Sequence, residues 1–137
     1  MIILANVRDQ LRDCDEVWYI VRSPGKRSFD ETHKHVPVLS PNWQLFKAYR
    51  DAAQLGKWNH EWFQEHYVPQ FLAQMRRDPE AKKLLNELVE KSREKNIALV
   101  CFCADESLCH RSIVGGILYN MGAVCEEHIA SYNTYCL

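Results

Sequence analysis

The residues best suited to chemistry lie in one short stretch, CFCADESLCHRS, at positions 101 to 112. Three cysteines are followed there by His110, Arg111 and Ser112, directly after an apolar run that ends at Val100. Cysteine sulfur is a nucleophile and a soft metal ligand, histidine transfers protons near neutral pH, and arginine binds carboxylates and phosphates. The stretch is therefore compatible with a metal site, a catalytic thiol or an anion-binding site.

A zinc site is the first alternative. Cys101, Cys103, Cys109 and His110 carry suitable ligand atoms. They lack, however, the C-x2-C knuckle and the second ligand pair that are typical of a structural zinc site. We therefore expect no bound metal and no cofactor, with Cys101 and Cys103 as buried core thiols.

A catalytic thiol is the second alternative. Cys109 stands where a helix is predicted to begin, next to Arg111, and both features would lower the pKa of its thiol. The loop does not match that of cysteine phosphatases, in which arginine follows cysteine at the sixth position. From Cys103 the sixth position is Cys109, and Arg111 comes two residues later.

An anion-binding crevice is the third alternative. Arg22 and Ser23 follow a second predicted strand, with Lys26 close behind. Ligands of parallel sheets bind at the carboxyl ends of the strands, where unpaired N–H groups of the following helix favour anions. We therefore expect Arg22, Ser23, Lys26 and Ser112 to bind a ligand, and His110, Arg111 and Cys109 to be catalytic. A solvated helix start with a salt bridge is the structural alternative for His110 and Arg111.

Strands and helices that would position these residues can be placed along the chain. MIILANV, the run from Val17 to Val21, and IALVCF have the apolar, β-branched character of strands. One helix is predicted to begin at Ser40-Pro41 and another at Asp78-Pro79. The aromatic segment between them is predicted to be helical as well, and Pro69 should kink or divide it. SIVGGILYNM is predicted to be a helix and AVCEEHI a strand, whereas DETHKHVPVL is assigned to a polar loop.

These elements predict a single domain over residues 1–137. Its fold class is α/β, with three layers, a mostly parallel sheet and helices on both faces, as in Rossmann-like folds. The chain length suits one hydrophobic core.

Composition limits the classes of binding partner and the cellular location that can be expected. The formal net charge of −1 gives no general attraction to nucleic acid or to anionic membranes, so any basic site must be local. No apolar run approaches the length of a membrane span, and the first residues do not fit a signal peptide. The six cysteines are accordingly expected to be reduced thiols of a cytoplasmic protein.

The segment LVCFCADESLCHRSIVGGIL resembles the closing signature of the DUF488 family of domains of unknown function. Two upstream segments, VPVLSPNWQLFKAYRD and IVRSP, are similar to other segments of that family. The corresponding residues in the first segment are Cys101, Cys109, His110 and Arg111. Those in the two upstream segments are Leu39, Pro41 and Trp43, and Arg22, Ser23 and Pro24, respectively. The resemblance implies a compact α/β fold, but the family has no settled activity. Cys103 stands where that family often has another residue, which weakens a zinc site further.

These observations predict a protein whose crevice binds a small anionic ligand, such as a nucleotide, another phosphate ester or the end of a nucleic acid. If it is an enzyme, we expect a hydrolase or transferase in which His110 is the acid and base and in which Arg111, Arg22 and Lys26 stabilise charge. A non-catalytic nucleotide or anion sensor and a metal-stabilised Cys/His interaction module are the alternatives. The sequence does not indicate an oligomeric state.

Overall fold

The computed structural model describes all 137 residues and contains one four-stranded sheet in which every strand pair is parallel. The strands are β1 (Ile2–Asn6), β2 (Glu16–Tyr19), β3 (His33–His35) and β4 (Ile97–Cys101), in the spatial order β1-β4-β2-β3. Strand β4 is buried along its whole length, and its unbroken apolar sequence suits a central strand that is covered on both faces. The predicted α/β fold class is confirmed.

Helices follow the strands in the predicted regions. They are α1 (Trp43–Gln54), α2 (His60–Trp62), α3 (Val68–Arg77), α4 (Pro79–Lys91) and α5 (His110–Asn120). Shorter helical turns occupy Pro37–Leu39, Glu106–Leu108 and Glu127–Tyr132, and a π-helical turn occupies Phe63–Tyr67. None of the helices combines the length and the apolar character that crossing a bilayer would require.

The hydrophobic core has two main parts, one on each face of the sheet, and a separate cluster of three residues, Val21, Cys101 and Cys109. The larger part joins strand residues such as Leu99 to helix residues such as Phe71 and Ile113, all of them fully buried. The smaller part includes Ala98 and Val100 and is covered by the segment between β1 and β2, including Leu11. The helices thus bury their apolar residues in the larger part, against the sheet whose strand β4 leads into the cysteine loop.

Helix α1 begins two residues later than its capping sequence predicted. Asn42, not Ser40, is the N-cap residue, and its side chain accepts a hydrogen bond from the backbone N–H of Leu45. The hydroxyl of Ser40 instead donates to the carbonyl oxygen of Pro37 and closes the preceding 3-10 turn.

Pro69 interrupts the aromatic helical segment as predicted. Proline has no N–H to donate within a helix, and its ring crowds the preceding turn. The chain adapts by widening into the π-helical turn, in which the N–H of Val68 bonds to the carbonyl of Phe63, five residues back. This turn places Tyr67 in the protein interior, where it is 3% exposed.

The prediction of a final strand in AVCEEHI is wrong. Only Cys125 forms a bridge to Ile2 of β1, and a 3-10 helix begins at Glu127. The reason is Glu126, whose carboxylate accepts the N–H of Leu4 at 3.2 Å. That carboxylate takes the place of the backbone carbonyl of a further strand residue, so the pairing stops.

Beyond residue 126 the chain packs on α5 at a point where that helix has no side chain. A Cβ atom on Gly116 would lie 2.2 Å from the carbonyl oxygen of Tyr132. The amide of Asn120 holds the same segment by donating to the carbonyl oxygens of Asn133 and Tyr135. The segment therefore covers α5 by direct contact between backbones.

Strand β3 is the element that sequence patterns missed. Its three residues, His33, Lys34 and His35, are polar and lie within the segment predicted to be a loop. They pair with Val17, Trp18 and Tyr19 at the edge of the sheet, where one side of the strand is unpaired and polar residues are common.

Candidate active site

A cavity of about 350 Å³ lies at the carboxyl end of the sheet, where β2 and β4 end side by side. Its lining comes from the residues after these two strands, from α1 and from the aromatic segment before α3. The lining residues are Val21, Arg22, Ser23, Pro41, Phe46, Tyr49, Arg50, Trp58, Tyr67, Cys101, Phe102, Cys103, Leu108, Cys109 and His110. They include two arginines and no carboxylate, so the cavity is suited to an anion.

Three thiols meet at the floor of this cavity. Cys101 ends β4, Cys103 follows in the loop, and Cys109 immediately precedes α5. All three sulfur atoms lie within 4.8 Å of one another, and those of Cys101 and Cys103 are 3.8 Å apart. The spacing of the cysteines in the sequence had predicted no such convergence, which arises because the loop after β4 folds back over the strand end.

His110 lies beside the thiols with its ring fixed at one end. Its Nε2 contacts the carbonyl oxygen of Ile20, which can only accept, so Nε2 carries a hydrogen. The other ring nitrogen, Nδ1, lies 3.9 Å from the sulfur of Cys101 and 3.7 Å from that of Cys109. The first residue of α5 therefore directs a proton-transferring atom at the thiol cluster.

The thiol environments differ, and they favour the thiolate form at Cys101 over the other two cysteines. Hydrogen bonds from Cys103 and Cys109, together with the positive charge of His110, lower the pKa of Cys101. The bond to Cys101 in turn raises the pKa of Cys103 to about 12. Burial, first of all, raises the pKa of Cys109 well above its ordinary value. The predicted lowering of the pKa of Cys109 is thus wrong, because its sulfur is enclosed and faces other thiols.

Arg111 occupies a different place from the one expected. It is 3% exposed, whereas the sequence predicted a catalytic residue that stabilises charge in the crevice together with Arg22. Its Nη1 donates to the carbonyl oxygen of Cys103 at 2.9 Å and lies 3.9 Å from the sulfur of Cys109. Arg111 therefore holds the cysteine loop from behind and adds positive charge near the thiols, but it does not line the cavity.

Arg22 lines the cavity. Its Nε and Nη2 donate to the carbonyl oxygens of Pro41 and Pro37, at 3.1 and 2.7 Å. The guanidinium lies 5.7 Å from the ring centre of Trp43, and burial lowers its pKa. Two backbone carbonyls and an aromatic ring thus fix the orientation of this cation without neutralising its charge.

The other predicted site residues divide into two groups. Ser23, Cys109 and His110 line the cavity, whereas Lys26 is exposed and outside it. Ser112 is fully buried, and its hydroxyl donates to the carbonyl oxygen of Cys109 at 2.8 Å. That bond satisfies the hydroxyl within the first turn of α5, so Ser112 does not face a ligand.

Aromatic side chains form the walls of the cavity. They are Phe46, Tyr49, Trp58, Tyr67 and Phe102. Trp58 packs edge-on against Tyr49 and Tyr67, with ring centres 4.3 and 5.6 Å away. These contacts make a rigid apolar enclosure whose size suits a planar ring.

Arg50 and the aromatic walls are the parts of the site that sequence reasoning missed. The signal was present in α1, because Trp43, Phe46 and Arg50 recur at intervals of three and four and share one helix face. None of these three residues was among the predicted site residues, yet Trp43 is 59% exposed and Arg50 reaches the cavity.

The cluster of Cys101, Cys103 and Cys109 is the group that could hold a soft metal ion. Nδ1 of His110 is a further potential donor close to two of these sulfurs. The guanidinium of Arg111 next to Cys109 works in the opposite direction, because it places a fixed positive charge beside the same thiols.

A protein-family model matches most of the chain. The model of the DUF488-N3a family, described as the active DUF488-N3 subclade, matches residues 3–122, which include all five helices and, apart from Ile2, all four strands. No curated protein and no solved structure matched the chain. Because the match covers most of the sequence and includes the entire cysteine loop, the chain belongs to the DUF488-N3a family.

Proposed function

We propose that this protein is a cysteine-dependent hydrolase or transferase, with Cys101 as the nucleophile, acting on a small phosphate-bearing ligand that contains a planar ring, such as a nucleotide. The observation that carries the proposal is the pairing of a thiol whose pKa is lowered with a cavity that has two arginines and no carboxylate. The description of the matched family as an active subclade supports catalysis.

The residues would divide the work in the following way. The thiolate of Cys101 attacks the electrophilic atom of the substrate, and the leaving group departs with its bonding electrons and takes a proton from Nδ1 of His110. Water or another acceptor then releases the group from sulfur, giving its proton back to His110 and restoring the thiolate. Arg22 and Arg50 bind the anionic part of the substrate, and the aromatic walls hold its ring.

A thermal-shift screen of nucleotides and phosphate esters, followed by product analysis on the hits, tests this proposal. We expect a nucleotide or phosphate ester to raise the melting temperature and to slow alkylation of Cys101 by iodoacetamide. Cys101→Ser should abolish turnover, and Cys125→Ser, which removes a half-buried thiol outside the cavity, should preserve it. A hit that is turned over equally well by Cys101→Ser would refute the role of the thiol.

A metal-stabilised site is the second candidate, favoured by the sulfur distances alone. It would use the same thiols as ligands and would leave none of them free as a nucleophile. Elemental analysis of the purified protein separates the two functions. We expect no stoichiometric zinc or iron. One metal ion per chain that is lost in Cys103→Ser would refute the thiol enzyme in favour of the metal site.

A further inference from the structure

Three arginine–aromatic pairs surround the mouth of the cavity. The guanidinium carbons of Arg22 and Arg50 lie 5.7 and 5.8 Å from the ring centres of Trp43 and Phe46, respectively. The guanidinium carbon of Arg27 lies 5.1 Å from the ring centre of Phe102, which lines the cavity. None of the three arginines takes part in the ion pairs of the molecule. Their charges are therefore available to a ligand.

Two of the rings at this mouth are open to solvent. Trp43 is 59% exposed and Phe102 is 45% exposed. Such exposed rings can stack on bases, and the neighbouring arginines can contact phosphates. A single small ligand inside the cavity would leave the outer ring, that of Trp43, unused.

A second groove continues from the cavity along α1. It has a volume of about 460 Å³ and shares Phe46 and Arg50 with the cavity. The rest of its lining is Trp43, Lys47, Asp51 and Gln54. The cavity and the groove are thus joined through one arginine, which could contact a phosphate lying between them.

We propose that the ligand is single-stranded nucleic acid, whose terminal nucleotide enters the cavity while the adjoining nucleotide lies in the groove along α1, with its base on Trp43. This inference rests on the proposed function for the cavity itself and extends it to an interaction surface outside. A cationic path with aromatic rings at intervals is the recognised basis for binding single strands, because unstacked bases pack on the rings and phosphates contact the arginines. A duplex does not offer its base faces, so it gains nothing from Trp43.

The net charge of −1 is compatible with this proposal because four basic residues, Arg22, Arg27, Lys47 and Arg50, lie together at the cavity and the groove. An acidic peptide would satisfy the arginines but would leave the stacking surfaces empty. A second copy of this chain would need a carboxylate-rich face opposite them. Both alternatives are outcomes of the test, since neither produces binding to an oligonucleotide.

Fluorescence anisotropy with a short fluorescein-labelled oligothymidylate is the direct test. Unlabelled thymidine monophosphate, the unlabelled oligonucleotide and its duplex with oligoadenylate serve as competitors. We expect the single strand to compete at least about tenfold better than the mononucleotide and the duplex. Trp43→Ala should weaken oligonucleotide binding at least about fivefold, the lower end of the effect of removing one stacking ring. The mononucleotide, which does not reach the groove, should lose less affinity for Trp43→Ala than the oligonucleotide does, because Arg22 keeps its bonds to the carbonyl oxygens of Pro41 and Pro37.

Leu55→Ala is the matched control, because Leu55 is also a large apolar side chain, 69% exposed, near the same helix but outside both recesses. It should bind the oligonucleotide like the parent. An oligonucleotide that binds no tighter than the mononucleotide, or equally well to Trp43→Ala, would overturn the inference while leaving the proposed function intact. Absence of binding by every nucleotide, together with a Cys101 of ordinary reactivity, would refute both.

Discussion

The two ends of the parallel sheet differ in whether their charged side chains have partners of opposite charge. At the amino end, the carboxylate of Glu16 is buried, and it contacts the ammonium groups of Lys34, Lys91 and Lys95 at 3.0, 3.1 and 3.3 Å. The indole N–H of Trp18 donates to the same carboxylate at 2.9 Å. At the carboxyl end, Arg22 and Arg50 line a cavity that contains no carboxylate.

The difference separates charge that holds the fold together from charge that is available to a ligand. Glu16 has a protein partner for each of its oxygens, and nothing in its surroundings is left to recognise a further molecule. The arginines at the other end are oriented by carbonyl groups and rings, which fix direction without cancelling charge. Substitutions at the amino end should therefore change stability, and substitutions at the cavity should change chemistry and binding.

The largest effect should come from Cys101→Ser, which should abolish the pH-independent alkylation at the cavity. In the parent, the alkylation rate of Cys101 by iodoacetamide should stay nearly constant between pH 6 and 8, because its pKa is lowered. The exposed Cys136 serves as an internal reference whose rate should rise over that range. Peptide mass spectrometry measures both, and parallel pH profiles would show that Cys101 is an ordinary thiol.

Glu16→Ala should lower the free energy of unfolding by roughly 2–4 kcal/mol, because the indole N–H of Trp18 loses its acceptor and three lysines lose their shared partner. Urea denaturation measures the change. Glu87→Ala, which removes an exposed ion pair to Lys91, should cost less than about 0.5 kcal/mol. Alkylation of Cys101 should be the same in both variants, and a change at the cavity would show that the two ends are coupled.

Acid should remove the contribution of Glu16. Burial acts to raise the pKa of this carboxyl, but hydrogen bonds from Trp18 and the lysines hold it at about 2, below the ordinary 4.5. The folded chain therefore binds fewer protons than the unfolded one, so the stabilisation is complete above about pH 4.5 and disappears as the pH falls to about 2. The stability difference between the parent and Glu16→Gln should shrink over that range, and a constant difference would contradict the assignment.

Arg111→Ala should destabilise the fold by about 1–3 kcal/mol, since it deletes a buried side chain and its bond to the carbonyl of Cys103. Although Arg111 is at the cavity end, we expect it to behave as a structural residue, with a loss of thermal stability visible by calorimetry. Arg111→Lys retains the charge but not the geometry and should recover part of the loss. A variant as stable as the parent would show that the loop holds without this arginine.

Arg50→Ala should have the smallest effect on the fold and a selective effect on binding. Its side chain is exposed, so the free energy of unfolding should change by less than about 0.5 kcal/mol. Affinity for the best nucleotide of the screen should fall about tenfold, as expected for loss of one charge-assisted contact. Titration calorimetry measures it, with Arg77→Ala, an exposed arginine outside the cavity, as the control.

The sequence predicted three of the four strands and most helices because their signals are local. The apolar run Ile97–Cys101 and the Asp78 cap before α4 both occur where expected, and the cap accepts the N–H groups of Glu80 and Ala81. The failed final strand depended on the side chain of Glu126, which accepts from the N–H of Leu4, 122 positions away, in place of a backbone carbonyl. Periodicity contains no information on such a contact.

The site was only partly predictable for the same reason. Adjacent parallel strands brought Arg22 and the cysteine loop to one edge, as the pattern required. Whether Arg111 points into solvent or back to Cys103 depends on how the loop folds, which residue spacing does not specify. The thiol cluster was missed because cysteines two and eight positions apart can meet only in a loop that reverses direction.

The backbone contact at Gly116 has a consequence for the evolution of this chain. The family match ends at residue 122, and the segment that lies on Gly116 comes after it. Any side chain at position 116 would displace that segment, whereas without the segment a glycine in mid-helix only weakens α5. The glycine and the C-terminal segment should therefore be inherited as a pair, and relatives with alanine at this position should end early or direct their last residues elsewhere.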